Sequence, residues 1–473
     1  MKKKLYINGT WRDAEDHYEL FSPYQNEKIG EIPKASSSDI NDAIESAFQT
    51  KKVMKEMSSH QRADILLNAS IILERRKEEA ARILVQENAK PIKAARGEIA
   101  RTIQTYRFAA EEAKQLYGET IPMDAAIGAE NKFGFTMREP LGVIAAITPF
   151  NFPFNLAAHK LGPAIAAGNT VVLKPASQTP LSAYFIAEIF EEAGLPKGAL
   201  NVITGSGKVI GDLLVQDDRI NMITFTGSLE VGKEIRERAG LKKVTLELGS
   251  SAPVIIDEVK DLHRAVVKTV QGAYAYSGQV CISVQRIYVH QNIYESFIEQ
   301  FKEEASKLVL GDPNDEKTDI SALIHPGEIK RVNQWLDEAS SKGANVLKLQ
   351  ESPADSIFSP VIVTDLPENC TLHHDEVFAP VVMIKSFKDM DEAIEEANNS
   401  QYGLQAGIFT DSIQVALNAV KKIESGGVNV NDVPTFRVDH MPYGGIKNSG
   451  TGKEGIKYST EEMTELKFVS FTE

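Results

Sequence analysis

The chain has little cysteine and little tryptophan, two of each in 473 residues. Two thiols, Cys281 and Cys370, cannot build a disulfide framework, and a reducing cytoplasm suits them best. Long apolar runs are also missing. No stretch reaches the roughly 18 residues that a transmembrane helix needs, so no membrane partner is expected. The start, MKKKLYINGTW, carries lysines but no apolar segment after them, so it does not read as a secretory signal. Positive charge is in deficit: 52 Lys and Arg against 66 Asp and Glu give a net charge of −14. That disfavours a nucleic acid or an anionic membrane surface as the main partner. The nine histidines form no HExxH, and no paired-cysteine spacing occurs, so no catalytic metal is expected.

What is present is ordinary globular material, 42% hydrophobic and 25% charged. The length exceeds one core, so two or three domains are expected. Residues 5–33 alternate short apolar runs with turn residues and read as small strands. From Ser37 to about Leu116 a helical period takes over, with serines placed as N-caps. Residues 118–140 turn strand-like and polar. Residues 141–250 alternate strands ("LGVIAAITP", "TVVLKP", "LNVITG", "NMITFTG", "KVTLELG") with helices, the pattern of βαβ units in a parallel sheet. The alternation resumes from 251 to about 445. The tail "MTELKFVSFTE" is an isolated strand that needs a partner, another subunit being one option.

Several stretches carry chemistry. In "YSGQVCISVQR", Cys281 follows a turn signal and precedes an apolar run, as either a small buried hydrophobe or a nucleophile. "GSGKVIG" brings Gly207 and Gly211 after a strand, one residue longer than the dinucleotide fingerprint. In "FTGSLEVG", Gly227 and Ser228 open a helix, either as a plain N-cap or as backbone N–H groups for a pyrophosphate. "TVVLKPASQTP" ends in Lys174, Ser177 and Gln178 with no carboxylate, so a 2′-phosphate is tolerable there. Asn151 sits between aromatics in "TPFNFPFN", and Glu247 between Leu246 and Leu248. Such a glutamate is either exposed at a strand end or poised as a base.

In this order, "TPFNFP", "KLGPAIAAGNTVVLKPASQTP", "FTGSLEVG", "LELGSSAP", "SGQVC", "DEVFAPV" and "MPYGGIKNSG" resemble the aldehyde dehydrogenase superfamily, over essentially the whole chain. The resemblance implies an α/β fold: a Rossmann-like NAD(P)-binding domain (1–117 and 141–249), a second α/β catalytic domain (250–448) and a small β oligomerisation element (118–140 and 460–473). It implies Cys281 as nucleophile, Glu247 as general base, Asn151 as oxyanion donor and Lys160 in proton relay. It implies NADP or NAD as cofactor, held by Thr148, Pro149, Lys174, Ser177, Gly207, Gly211, Phe225, Gly227, Ser228, Val231 and Leu248. Glu376 and Phe378 fall on the nicotinamide side. Two departures stand out: Leu248-Gly249-Ser250 where many members read Leu-Gly-Gly, and Ser177 where NAD-preferring members often carry Glu. A homodimer or homotetramer is implied.

The expected reaction is oxidation of an aldehyde to a carboxylate through a cysteine thiohemiacetal and a thioester. Two rivals are a coenzyme-A-acylating dehydrogenase, disfavoured by the presence of Glu247, and a non-catalytic protein on the same scaffold, disfavoured by Cys281 and Glu247 together. At places that line the family's substrate tunnel stand Arg107, His159 and Arg437. Arginine suits a carboxylate, phosphate or sulfonate, so a small polar or anionic aldehyde is expected, of lactaldehyde, semialdehyde, phospho- or sulfo-aldehyde type. Val280 stands where some phospho-aldehyde members carry arginine. The alternative is that Arg107 and Arg437 pair with carboxylates such as Glu111 or Asp439.

Overall fold

The computed structural model describes residues 2–472. Its first large sheet runs, in spatial order, Thr10–Arg12, Leu5–Ile7, Leu200–Val202, Thr170–Lys174, Val143–Ile147, Met222–Thr226, Lys243–Glu247 and Gly450–Thr451. The five strands from Leu200–Val202 to Lys243–Glu247 are parallel. Val143–Ile147, Thr170–Lys174 and Met222–Thr226 are buried at every position, because helices cover both faces and alternation would strand polar groups. The chain starts the parallel part of this sheet in the middle at Val143–Ile147, builds outward to Leu200–Val202, then crosses to Met222–Thr226 on the other side. That reversal opens a crevice beyond the carboxyl ends of Val143–Ile147 and Met222–Thr226. Thr148, Pro149, Asn151, Gly227 and Ser228 all fall there.

The second sheet runs Asn345–Lys348, Val361–Thr364, Val381–Phe387, Val284–His290, Ala252–Ile256, Gln405–Phe409 and Gly427–Val430. All its pairings are parallel except that of Asn345–Lys348. It places Cys281 three residues ahead of the strand Val284–His290.

The helical period of the N-terminal third becomes four helices, Ser37–Glu56, Ser59–Arg75, Lys77–Asn88 and Ile92–Glu112. Ser36 with Asp39 and Ser58 with Gln61 form reciprocal caps that end the orphaned N–H groups of the first two. The helix Asn155–Ala167 is buried throughout and packs on Ile92–Glu112. Each of its buried leucine or isoleucine side chains contributes roughly 1.5–3 kcal/mol. A Cβ at Gly162 would lie 3.0 Å from the Ala109 Cβ, so the two backbones approach where only glycine fits easily. That close packing fixes the two neighbouring polar residues, His159 and Lys160.

The terminal strand Thr464–Thr472 finds its partner within the chain. It pairs antiparallel with Lys132–Pro140, which also takes Thr120–Ile121. Residues 464–472 therefore need no second subunit to satisfy their backbone on that side. No helix among the described residues is long and apolar enough to cross a membrane.

Candidate active site

Cys281 is aimed by a strained turn. Tyr276, Ser277 and Gly278 have φ of 47°, 55° and 71°, three consecutive left-handed residues. Non-glycine residues there cost on the order of 1–3 kcal/mol each. The Tyr276 hydroxyl donates to the Asn88 carbonyl at 3.1 Å and the Ser277 hydroxyl to the Ser321 carbonyl at 2.9 Å, which offsets that cost. A Cβ at Gly278 would meet the Ala379 carbonyl oxygen at 2.3 Å, so no other residue fits. Cys281 is half-buried, and its Sγ lies 3.1 Å from the Tyr443 hydroxyl. Burial pushes its thiol up to about 12, against the hydrogen bond with Tyr443. Glu376 and Glu247 push the same way, and the Arg437 charge opposes them.

Asn151 is buried and donates its side-chain amide to the Gln279 carbonyl at 3.0 Å, two residues before Cys281. Its own carbonyl accepts from Lys90 Nζ at 2.6 Å. Lys90 is buried, pairs with Glu98 and rests 3.8 Å above the Phe152 ring. Glu98 in turn accepts from the backbone N–H groups of Phe154 and Asn155 at 3.0 and 3.2 Å. A buried ion pair thus clamps the Asn151 loop to the start of the helix Asn155–Ala167. Breaking one partner of such a pair leaves an uncompensated charge and costs about 3–5 kcal/mol.

Glu247 ends the strand Lys243–Glu247, buried, with neither carboxyl oxygen hydrogen-bonded among the described residues. Burial, with the nearby charge of Glu454, pushes its carboxyl well above the usual range. It lies against Gly444, where a Cβ would sit 2.8 Å from Oε1.

Behind these groups runs a buried chain of charges. Lys160 Nζ donates to Thr226 at 2.8 Å, Thr224 at 3.2 Å and Glu454 at 3.1 Å. The other Glu454 oxygen takes Arg437 at 3.0 Å. Arg437 also reaches His159 Nε2 at 3.2 Å, and that nitrogen lies 2.9 Å from Asp439. Arg101 closes the chain on Asp439 at 2.7 Å. Burial works against the Glu454 charge, but Lys160 and Arg437 hold its carboxyl down at about 2. Burial, then the Arg437 charge, depress the His159 imidazole, against the hydrogen bond to Asp439. Arg437 Nε and His159 Nδ1 are buried and have no hydrogen-bond partner among the described residues.

On the other side of Cys281 opens a cavity of about 820 Å³ in the crevice of the first sheet. Thr148, Pro149, Phe225, Gly227, Ser228, Val231 and Leu248 line it near the switch point. Lys174, Ser177, Gly207 and Gly211 line one end; Glu376, Phe378, Asn151 and Cys281 line the other. Burial lowers the Lys174 ammonium to about 8 and raises the Glu376 carboxyl to about 8.

A family model described as "Aldehyde dehydrogenase family" matches residues 11–469. The chain belongs to the aldehyde dehydrogenase family. A 3-sulfolactaldehyde dehydrogenase of Priestia megaterium is 47% identical over 465 residues, 98% of this chain and 97% of its own. A lactaldehyde dehydrogenase of Methanococcus maripaludis is 41% identical over 469 residues, 98% of this chain and 99% of its own. The crystal structure of an NADP-dependent glyceraldehyde-3-phosphate dehydrogenase from Bacillus halodurans, complexed with NADP, superposes with a TM-score of 0.97 at 37% identity. That likeness covers 100% of this chain and 99% of the other. The protein is thus an oxidoreductase acting on aldehydes, on an α/β fold with parallel sheets.

Within this aldehyde dehydrogenase, the residues expected to bind cofactor share one cavity with Cys281 and Asn151. Glu247 and Lys160 lie just outside it. Arg107 is a correction. It pairs with Glu74 on the neighbouring helix and is one-third exposed, so it is removed from the site. The buried stripe of its helix is Ile99, Ile103, Tyr106 and Ala110; one residue past Tyr106 turns a side chain about 100° off that face. Arg101, six residues earlier, is the arginine that reaches Asp439. Arg437 pairs with Glu454 rather than with Asp439. Sequence reasoning missed Tyr443, Glu454, Lys90 and Glu98. Tyr443 stands inside the quoted "MPYGGIKNSG" and Glu454 four residues after it, so both were within reach of the motif.

Proposed function

We propose that this enzyme oxidises a small anionic or hydroxylated aldehyde, of the sulfolactaldehyde or lactaldehyde kind, to its carboxylate, with NADP accepted at least as well as NAD. The observation that carries the substrate class is Arg437. It is buried, keeps an unpartnered Nε, and its guanidinium stacks 3.7 Å from the Tyr443 ring whose hydroxyl touches Cys281. A donor left without a partner in a dry site costs energy until a ligand supplies one, and a sulfonate, carboxylate or hydroxyl does so. The relatives named for sulfolactaldehyde and lactaldehyde support the same class.

The cavity fits a nicotinamide dinucleotide. Lys174 is a buried ammonium whose hydrogen bond goes to the Pro175 carbonyl, and Ser177 offers a hydroxyl in place of a carboxylate. A Cβ at Gly207 would stand 3.9 Å from Lys174 Nζ, and one at Gly211 would meet nothing within 4 Å, so both leave space. Ser228 caps the helix Leu229–Arg238, whose N-terminus faces the cavity and favours phosphate. Glu376 takes the Ser250 N–H at 3.0 Å and retains acceptor capacity for a ribose hydroxyl. When bound, the dinucleotide accepts the hydride from the substrate carbon.

The chain's own groups do the rest. Cys281 attacks the aldehyde carbon as thiolate. The second amide N–H of Asn151 and the Cys281 backbone N–H hold the oxyanion, each contributing on the order of 10²–10³ in rate. Glu247, with no hydrogen bond among the described residues, takes a proton from the water that hydrolyses the thioester. Lys160 and Glu454 form a buried ion pair beside it. We also propose assembly as a homodimer or homotetramer through the sheet of Lys132–Pro140 and Thr464–Thr472. Leu466, Phe468 and Phe471 there are more than half exposed at 58%, 51% and 58%. Both cysteines are free thiols, in keeping with a cytoplasmic enzyme. The test is kcat/KM for sulfonated, carboxylated, hydroxylated and plain aliphatic aldehydes of equal length. Preference for the first three supports the reading, and preference for long aliphatic aldehydes refutes it.

A further inference from the structure

We propose that Tyr443 is a catalytic residue whose phenol hydroxyl donates a hydrogen bond to the Cys281 sulfur and stabilises its thiolate. This rests on the reading of Cys281 as nucleophile. The hydroxyl lies 3.1 Å from Sγ, a normal distance for a donor to sulfur. Once the sulfur is ionised, only the phenol can donate.

The ring is held for this task from three sides. Its backbone N–H donates to the Glu454 carbonyl at 2.9 Å, and the Glu454 N–H donates back at 2.6 Å. The Arg437 guanidinium covers one ring face at 3.7 Å. Ile282 and Leu404 complete a small apolar cluster around it. Tyr443 is 3% exposed, so water does not compete for the hydroxyl. A cation over the ring face draws on its electron density and makes the hydroxyl a stronger donor. Arg437 is therefore a positioning residue for Tyr443 as well.

The sulfur needs such a donor. Four ionisable groups face it: Tyr443 and Arg437 from one loop, Glu247 from the strand end, Glu376 from the far side. Both glutamates oppose a thiolate. Burial and the neighbouring sulfur keep the phenol protonated far above neutral pH, so it donates without losing its proton. Ionisation releases the thiol proton to solvent through the cleft. Negative charge sits on sulfur twice, before attack and again when the thioester C–S bond breaks; the same hydrogen bond serves both moments.

The experiment is the rate of iodoacetamide alkylation of Cys281 against pH, read by mass spectrometry on its peptide, in wild type and Tyr443→Phe. The midpoint should rise by about one pH unit or more, the scale of a hydrogen bond to a charged group. Thiolate nucleophilicity rises with thiol pKa, with a Brønsted slope of about 0.4–0.5. The variant's alkylation should therefore be roughly threefold slower below the wild-type midpoint and roughly threefold faster well above its own. The two pH profiles cross. A merely structural loss would slow the variant at every pH. Site-specific 3-fluorotyrosine at 443, a stronger donor of nearly the same shape, should move the midpoint down. An unchanged or lowered midpoint in Tyr443→Phe overturns the proposal, as does a raised one with fluorotyrosine. Turnover surviving in Cys281→Ala overturns instead the nucleophile reading on which it rests.

Discussion

Replacing Glu247 by glutamine separates the two halves of the reaction. The two side chains have nearly the same size, and neither oxygen of Glu247 has a hydrogen-bond partner among the described residues, so the change breaks no bond. What it removes is the ability to take a proton from water. General-base catalysis is worth roughly 10²–10⁴ in rate, or about 2.7–5.4 kcal/mol of barrier at 1.36 kcal/mol per decade. That loss should fall on thioester hydrolysis. Mixed rapidly with aldehyde and cofactor, Glu247→Gln should release one equivalent of reduced cofactor per active site in a burst, then turn over slowly. Stability gives an independent check with a definite sign. Burial raises the Glu247 carboxyl above its unfolded value. The contribution of such a group is fully present below the unfolded pKa and is lost as pH rises through the folded one. Glutamine carries no such loss, so the thermal midpoint of Glu247→Gln should exceed that of wild type by more at pH 8 than at pH 5. A variant with an unchanged steady-state rate and no burst would show that another group activates the water.

Three further outcomes follow from the same geometry. Cys281→Ala should abolish oxidation while leaving the thermal midpoint within a few degrees, since a small apolar side chain is tolerated there; turnover above a few per cent would contradict it. Ser177→Glu should raise the KM for NADP by roughly tenfold or more through like-charge repulsion with a 2′-phosphate and shift preference toward NAD, as read by paired kcat/KM values; a wild type that already prefers NAD strongly would refute it. Arg437→Lys should lower kcat/KM for a sulfonated aldehyde by about 1.5–3 kcal/mol of transition-state binding more than for an uncharged one of equal length, whose smaller loss reflects only the weakened support of Tyr443, whereas Arg107→Ala should change neither; equal effects on both aldehydes would count against Arg437 as the anion donor.

The α/β alternation was legible because buried parallel strands read as near-continuous apolar runs, as in "VIAAI" and the "VVL" of "TVVLK". The shared cavity was legible through collinear motifs, each short and each tied to one loop. Arg107 was misread because a loop resemblance says which helix is near but not which face a side chain takes. Lys90 and Glu98 were illegible for another reason. Lys90 precedes Asn151 by 61 residues, and only packing of Ile92–Glu112 on Asn155–Ala167 brings them together. The buried chain from Lys160 to Arg101 spans four separate segments, and no local period announces it. The terminal strand was already grouped with 118–140 through the resemblance, but its register against 132–140 was not legible, because hydrophobic pattern alone does not fix it.

The most direct test of the account is to trap the intermediate itself. Glu247→Gln, mixed with a small anionic aldehyde and cofactor and quenched in acid during the slow phase, should carry the mass of the acyl group on the peptide containing Cys281, in about one equivalent per chain, with the peptide containing Cys370 unmodified. An enzyme that reduces cofactor under these conditions with no acyl group on Cys281 would contradict the account.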